Sequence, residues 1–241
     1  MGKRWLRYLD AHPEYLARHY WWAYLSPTGV WFFSHHTIIN LILFGQYRRI
    51  LDVLVARLTS APCGRMLQLT CAYGELTPTL AGYTEELHLN DVALIQLRVA
   101  RQYLLKKHRT ALLARMNAES LSYATNSFDT VVIFFLLHEL PAEARQRALN
   151  ETMRVLKPGG RLLIVEYAAN HGRHLLHRRP LRWILEYLEP FLHDFWHSDL
   201  DTQLGSYALQ HNKTLAHIGT TSIFKKFYRV EEYCANGTTT E

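Results

Sequence analysis

Apolar residues recur along this chain in two rhythms. Tyr47, Ile50, Leu51, Leu54, Val55 and Leu58 fall three and four residues apart, which predicts an amphipathic helix. From about residue 62 the pattern changes to short, nearly unbroken apolar runs. These are Arg65–Thr70, Leu87–Leu89 running into Asn90-Asp91, Thr130–Leu137 and Arg161–Val165. Runs without alternation fit strands buried on both faces of a parallel sheet. Helical segments at Val92–Lys107 and Ala142–Leu156 separate them, and Ile218–Ser222 with Phe224–Glu231 can form a terminal hairpin. Strands alternating with helices predict an α/β fold with an open, doubly wound, mostly parallel sheet. Two regions follow: an N-terminal helical cap over residues 1–60 and a sheet domain over residues 61–235.

The cap is rich in aromatics. Tyr15, Tyr20, Trp21, Trp22, Tyr24, Trp31, Phe32 and Phe33 lie close together. They fit rings turned inward on a core, an apolar lid over a hydrophobic substrate, or a surface dipping into lipid. The apolar stretch Val30–Phe44 is broken by Ser34, His35, His36, Thr37 and Asn40, so it is too short and too polar to span a bilayer. The basic opening Met1–Arg7 is not followed by a continuous apolar segment, so no secretory leader is expected. Cys63, Cys71 and Cys234 form no paired motif, which fits a reducing compartment. A net charge of +6 suits an anionic surface or simply a basic one. Nucleic acid is not expected as a partner, because no recognition module accompanies the charge.

In an open α/β sheet the ligand sits beyond the carboxyl ends of the strands. After the first strand comes Cys71-Ala-Tyr-Gly-Glu75, where Gly74 permits close backbone approach. After the second comes Asp91, whose carboxylate can accept two ribose hydroxyls or cap the next helix. After a third stretch comes Met116-Asn-Ala-Glu-Ser-Leu121, where Asn117 can meet an adenine amino edge and Ala118 can offer backbone. His138 and Glu139 close the third apolar run, Thr130–Leu137, and His138 is a candidate base near neutral pH. Glu166 and Tyr167 follow the last central strand as second candidates.

Three features together resemble the class I S-adenosylmethionine (SAM)-dependent methyltransferases over about residues 62–168. They are Asp91, six residues before Leu97; Asn117-Ala-Glu followed by Ser127-Phe-Asp129; and Leu156-Lys-Pro-Gly-Gly160. The first strand departs from that family, whose pattern is acidic, then Gly-x-Gly-x-Gly. Here the acidic position is Gln68, the first two glycines are Thr70 and Ala72, and Gly74 alone remains.

A closer resemblance rests on Tyr20-Trp-Trp-Ala-Tyr-Leu-Ser-Pro27, Cys71-Ala-Tyr-Gly-Glu75, Asp91-Val-Ala93, Phe134-Phe-Leu-Leu-His-Glu-Leu-Pro141, Arg179-Pro-Leu-Arg182, Leu188-Glu-Pro-Phe191 and Asp194-Phe-Trp196. These resemble the RquA rhodoquinone-biosynthesis family. The resemblance implies conversion of ubiquinone to rhodoquinone, a ring methoxy being replaced by an amino group from SAM with help from a divalent metal, manganese. It implies SAM contacts at Gln68, Tyr73, Gly74 and Asp91, and at Val92, Asn117, Ala118 and Phe135. Catalytic roles fall on His138, Glu139, Tyr167 and Gln68.

The metal ligands stay open among Glu166, His138, Glu139, Asp194, Asp199 and the pair His193 and His197. A neutral Gln68 can orient an amine without stabilising its protonated form, which suits an amine that must attack. The basic stretch with His171, Arg173, His174, His177, Arg178, Arg179 and Arg182 fits anionic headgroups or a solvated face. The expected setting is cytoplasmic, peripheral on a quinone-containing inner membrane. The alternative is an ordinary methyltransferase acting on a quinone or another apolar small molecule.

Overall fold

A computed structural model describes residues 12–71, 73–169 and 174–238. Ala72, His171, Arg173 and the basic opening Met1–Arg7 lie outside the described residues.

Four helices come first. They are α1 (Leu16–Leu25, with π-type hydrogen bonding), α2 (Pro27–Phe33), α3 (His36–Ile42) and α4 (Tyr47–Leu58). Ser26 caps α2 by accepting from the Gly29 amide, with Pro27 in the first turn, a combination that suits a helix start. Helix α4 buries Tyr47, Ile50, Leu51, Leu54 and Leu58, the predicted stripe, against the sheet's own core.

The sheet and its crossings follow: β1 (Arg65–Leu69), α5 (Leu76–Leu80), β2 (Glu86–Asp91), α6 (Leu94–Lys106), β3 (Leu112–Arg115), β4 (Phe128–Phe134), α7 (Ala142–Val155) and β5 (Leu156–Tyr167). Three short helices, α8 (Leu181–Leu188), α9 (Leu192–His197) and α10 (Leu200–Gln210), lead to the hairpin β6 (Lys213–Ile223) and β7 (Tyr228–Gly237). Strand order is β3-β2-β1-β4-β5-β7-β6. β1 to β5 pair in parallel, and β7 lies antiparallel to both β5 and β6. This bears out the α/β, mostly parallel sheet expected from the apolar runs.

Leu67, Val131, Val132, Leu163 and Ile164 are fully buried in the central strands. Complete burial of such a side chain contributes about 1.5–3 kcal/mol, so these strands form the rigid floor of the site. Strand order reverses between β1 and β4, which opens a crevice where a ligand can bind.

Some boundaries differ from expectation. The run Thr130–Leu137 is not all strand: β4 ends at Phe134, and Phe135 takes φ +51° after donating its amide to Val165. Leu137–Glu139 is a 3₁₀ turn, so His138 lies on a turn beyond the strand. A buried apolar run cannot by itself tell a strand from a buried turn. Likewise Phe224, Lys225 and Lys226, with φ of 50°, 52° and 65°, form the hairpin turn and do not begin its second strand.

Candidate active site

The sequence places small or polar residues just past each central strand, and α1 to α3 roof the crevice there. The result is a cavity of about 320 Å³. Its floor is Thr70 and Cys71 after β1, Asp91 and Val92 at the end of β2, Asn117 and Ala118 after β3, and Phe135 and Leu136 after β4. Tyr73 supplies one wall. Tyr24 stacks on it at 5.6 Å and Phe33 at 6.2 Å, a set of parallel faces that suits a flat ring. The Tyr73 hydroxyl donates to the Ala23 carbonyl at 2.6 Å and accepts from Gln96 Nε2 at 2.7 Å, which fixes the ring. Gln96 was not anticipated; only its place one turn into α6 could have signalled it.

Asp91 joins two loops. Its Oδ2 accepts the Cys71 amide at 2.9 Å and its Oδ1 the Ala93 amide at 2.7 Å. It thus ties the turn after β1 to the residues that lead into α6, and is not the cap of that helix. Burial pushes its carboxyl up to about 6, even though the amides of Ala93 and Cys71 pull the other way. Asn117 lines the cavity, but its side chain is engaged: Oδ1 accepts from the Glu119 amide at 3.0 Å and Nδ2 donates to Glu119 at 3.2 Å.

Gln68 and Gly74 do not line the cavity. Gln68 is fully buried near the end of β1; its Nε2 donates to the Thr70 carbonyl at 3.0 Å, while Oε1 has no partner. Thr70 sits at φ +67°, a conformation that glycine adopts at less cost. Gly74 has φ +88°, and a Cβ there would lie 2.5 Å from the Tyr47 hydroxyl and 2.9 Å from Ile39. The close approach at Gly74 is made by α3 and α4, not by the cavity. The Tyr47 hydroxyl also accepts the Glu75 amide at 2.7 Å.

At the other end of the cavity sits a cluster of ionisable groups. Glu166, fully buried in β5, accepts the amides of Leu137 at 2.7 Å, His138 at 3.3 Å and Tyr167 at 3.0 Å. Its Oε2 lies 2.9 Å from His138 Nδ1. This network assigns the Nδ1 proton to the bond with Glu166 and leaves Nε2 facing Glu189 at 4.0 Å. Tyr24 bonds Glu139, and the Tyr20 hydroxyl donates to Glu189 at 3.0 Å. The Tyr167 ring meets the His138 imidazole edge-on at 4.7 Å.

Burial acts to lower the His138 pKa, but the neighbouring carboxylates, Glu166 first, outweigh it and raise the value to about 9. Burial also pushes Glu139 and Glu189 upward, each opposed by the imidazolium and reinforced by the other carboxylates. The neighbouring carboxylates thus favour the protonated imidazole, and Glu166, which a sequence cannot place beside His138, is the first of them.

The remaining candidate ligands lie elsewhere. Asp194 pairs with Arg145, Asp199 caps α10 through Thr202, and His193 bonds Glu186 at 3.0 Å. His193 and His197 do share a face, ring to ring at 4.5 Å, but both are exposed and neither lines the cavity. Glu189 was overlooked as a functional group, although it lies within the quoted Leu188-Glu-Pro-Phe191 motif. The N-terminal aromatics divide: Tyr20 is buried, Tyr15, Tyr24 and Phe33 line the cavity, and Trp31 and Phe32 face out.

Residues 66–160 match a family model described as a methyltransferase domain. The chain is 30% identical over 139 residues to the ubiquinone/menaquinone biosynthesis C-methyltransferase UbiE of Cupriavidus metallidurans, and 32% identical over 139 residues to UbiE of Burkholderia mallei. Each match covers 56% of this chain and 56% of the relative, so the chain spans little more than half the length of these proteins. Among solved structures, magnesium protoporphyrin IX methyltransferase from Synechocystis PCC 6803 superposes with a TM-score of 0.60 at 15% identity, covering 92% of this chain and 99% of that one. A SAM-dependent methyltransferase from Clostridium acetobutylicum gives a TM-score of 0.60 at 11% identity, covering 84% of this chain and 97% of that one. These structural likenesses carry the fold. Residues 66–160 are thus similar to a methyltransferase domain, and the mixed seven-stranded sheet has the fold of these solved methyltransferases.

Proposed function

We propose that this chain is a SAM-utilising transferase acting on the ring of a long-tailed quinone, and that the group it transfers is the SAM amine. The observation that carries the amino-transfer reading is Gln68. The residue near the end of β1, acidic in the methyltransferase pattern, is here a neutral amide whose Oε1 is buried without a partner. Gln68 does not itself line the cavity, but its Nε2 bonds the carbonyl of Thr70, which does, so a neutral side chain stands beside the cavity where a carboxylate would favour a protonated amine. The residues fit the adenosine half of SAM as well: Asp91, Asn117 and Ala118 line the cavity together beyond β2 and β3. The resemblance to the RquA family supports the same reading.

Amino transfer joins nitrogen to the ring carbon that bears methoxy and expels that group as methanol. One proton must leave nitrogen and one must reach the methanol oxygen. Release then breaks the Cα–N bond on the SAM side: the quinone ring takes up the two electrons of the Cα–H bond, water hydrolyses the resulting imine to a 2-oxo acid, and the nitrogen stays on the ring as an aminoquinol. His138, Glu139 and Glu189 hold and exchange protons at the end of the cavity, and Tyr24, Tyr73 and Phe33 offer faces to the ring. A second reading, methyl transfer to a quinone ring, is favoured by the similarity to UbiE.

A membrane-surface setting fits the cavity rim. Ile42 and Leu188, both exposed, line it, and α8 turns Trp183, Ile184 and Tyr187 outward beside Arg178 and Arg179. No helix among the described residues is long and apolar enough to cross a bilayer.

The test is a mass-spectrometric assay with detergent-solubilised ubiquinone, Mn²⁺ and SAM labelled with ¹⁵N at its amine. Label in an aminoquinone that has lost methoxy supports amino transfer. An unlabelled product with an added methyl overturns it in favour of the second reading.

A further inference from the structure

Three acidic side chains surround His138, an arrangement that proton handling alone does not require. One atom each from His138, Glu139 and Glu189 lie within 4.8 Å of one another. His138 is buried, and Glu139 and Glu189 are half-buried where they face the cavity. The fourth group, Glu166, is directed at the far ring nitrogen of His138 and at three backbone amides. A carboxylate holding one nitrogen of an imidazole, so that the other faces a carboxylate pair, is how metal-bound histidines are oriented.

Charge points the same way. One imidazole offsets at most one of three carboxylates. Arg145, which flanks the same turn, is committed to Asp194 and to the carbonyls of Leu137 and Leu140 at 3.3 Å each. Tyr20 and Tyr24 donate to Glu189 and Glu139, but a phenol brings no positive charge. Clustered carboxylates in a low-dielectric pocket must either take up protons or share a cation.

We infer that His138 Nε2, Glu139 and Glu189 bind one divalent cation of the manganese class, with Glu166 orienting the imidazole and Tyr20 and Tyr24 orienting the two carboxylates. Imidazole with two carboxylates suits a hard to borderline ion, and no thiol takes part to favour a soft one. Cys71, which also lines the cavity, lies instead on the Asp91 side. Bound there, such an ion would supply Lewis-acid polarisation of a substrate carbonyl oxygen, since the cluster opens onto the ring-lined cavity. Binding would displace the protons the cluster otherwise holds. The assignment leaves out Asp194, Asp199, His193 and His197.

The test uses the full chain, treated with chelator and titrated with Mn²⁺ alone, free ion being read by its electron paramagnetic resonance signal. The expected result is one tight site per chain. Glu189→Gln and Glu139→Gln should each weaken it by about tenfold or more, and Asp199→Asn should leave it unchanged. Nitrogen hyperfine coupling on bound Mn²⁺ should vanish in His138→Gln. Both Glu→Gln variants should melt, without metal, close to the wild-type temperature, because each amide keeps an oxygen for the Tyr24 or Tyr20 hydroxyl. The absence of a tight site in the wild type, or unchanged affinity in both Glu→Gln variants, overturns the assignment. The titration needs neither SAM nor quinone, so it can fail while the transferase reading stands, and the reverse.

Discussion

Glu166 Oε2 lies 2.9 Å from His138 Nδ1 while the same carboxylate accepts the backbone amides at both ends of the connection, Leu137 and Tyr167. One buried side chain thus fixes the turn after β4 to the end of β5 and sets the ring that faces the cavity. Glu166 is fully buried and does not line the cavity, so its expected part is to position His138. Glu166→Gln would turn an amide N–H toward groups that need an acceptor, at a stability cost of about 1–3 kcal/mol. We expect turnover to fall by about 10–100-fold, with SAM affinity unchanged. Steady-state kinetics and SAM titration check the split; equal loss of both would mean that Glu166 only holds the fold.

Asp91 gives a pH dependence that can be separated from that of His138. Its folded-state pKa of about 6 lies above the ordinary Asp value. In the fold alone, its favourable contribution is present below about pH 4 and is lost as pH rises through about 6. Ligand binding runs the other way, because only the carboxylate accepts two hydroxyls. SAM affinity should therefore weaken as pH falls below about 6. Asp91→Asn should bind more weakly at neutral pH and lose that inflection. Calorimetric titration between pH 5 and 8 checks it, and an unchanged inflection in the variant would assign the titration to another group.

Gln68 separates the two transferase readings. Gln68→Asp restores the acidic position that holds an ammonium in the methyltransferase pattern. SAM should bind more tightly, amino transfer should fall, and its remaining activity should move to higher pH, because a carboxylate raises the amine's pKa. The same ¹⁵N assay run across a pH series reads all three. If amino transfer and its pH profile do not change, Gln68 has no part in amine orientation.

Gly74 ties the helical roof to the first loop. Alanine there would occupy φ +88° with its Cβ 2.5 Å from the Tyr47 hydroxyl. Left-handed strain and overpacking together predict a loss of roughly 2–4 kcal/mol. Denaturant unfolding measures it, and Tyr47→Phe, which removes the acceptor for the Glu75 amide, should lower the cost of the added methyl. An additive pair would show that the contact is not the cause.

The parallel sheet was legible because Val131–Phe134 and Leu162–Val165 are apolar on both faces, as is Met66–Leu69 apart from Gln68, a pattern with few other solutions. That Asp91, Asn117 and Ala118 lie on the cavity floor followed from the rule that clefts open at strand ends. The ion cluster was only half legible. His138 and Glu139 are adjacent in sequence, whereas Glu166 and Glu189 arrive from β5 and from beyond α8 through packing that no local pattern encodes. The positive φ of Phe135, which lifts His138 off the strand onto a turn, was hidden for the same reason: Phe134-Phe-Leu-Leu137 is apolar throughout, and its break is imposed by tertiary contacts. Gly74 looked like a ligand-approach glycine because its neighbour Tyr47 lies in a distant helix.

The cavity rim predicts where the protein works. On α8, Trp183 and Ile184 are each 54% exposed and Tyr187 is 85% exposed, while Arg179 stacks over Trp183 at 4.8 Å. Tryptophan beside arginine on an exposed apolar helix face suits the headgroup boundary of a bilayer, where the ring meets the acyl edge and the guanidinium meets phosphate. Trp31 and Leu41, on α2 and α3, are exposed as well. A quinone tail held in lipid could then feed its ring through the opening between Ile42 and Leu188. We expect the protein to sediment with vesicles containing anionic lipid and less with neutral ones. The double variant Trp183→Ser, Ile184→Ser should lose most of that binding. Turnover on a long-tailed quinone in vesicles should fall with it, while turnover on a short-tailed soluble quinone stays at the wild-type rate. Equal loss on both substrates would place these residues in the cavity's own support and remove α8 from the membrane surface.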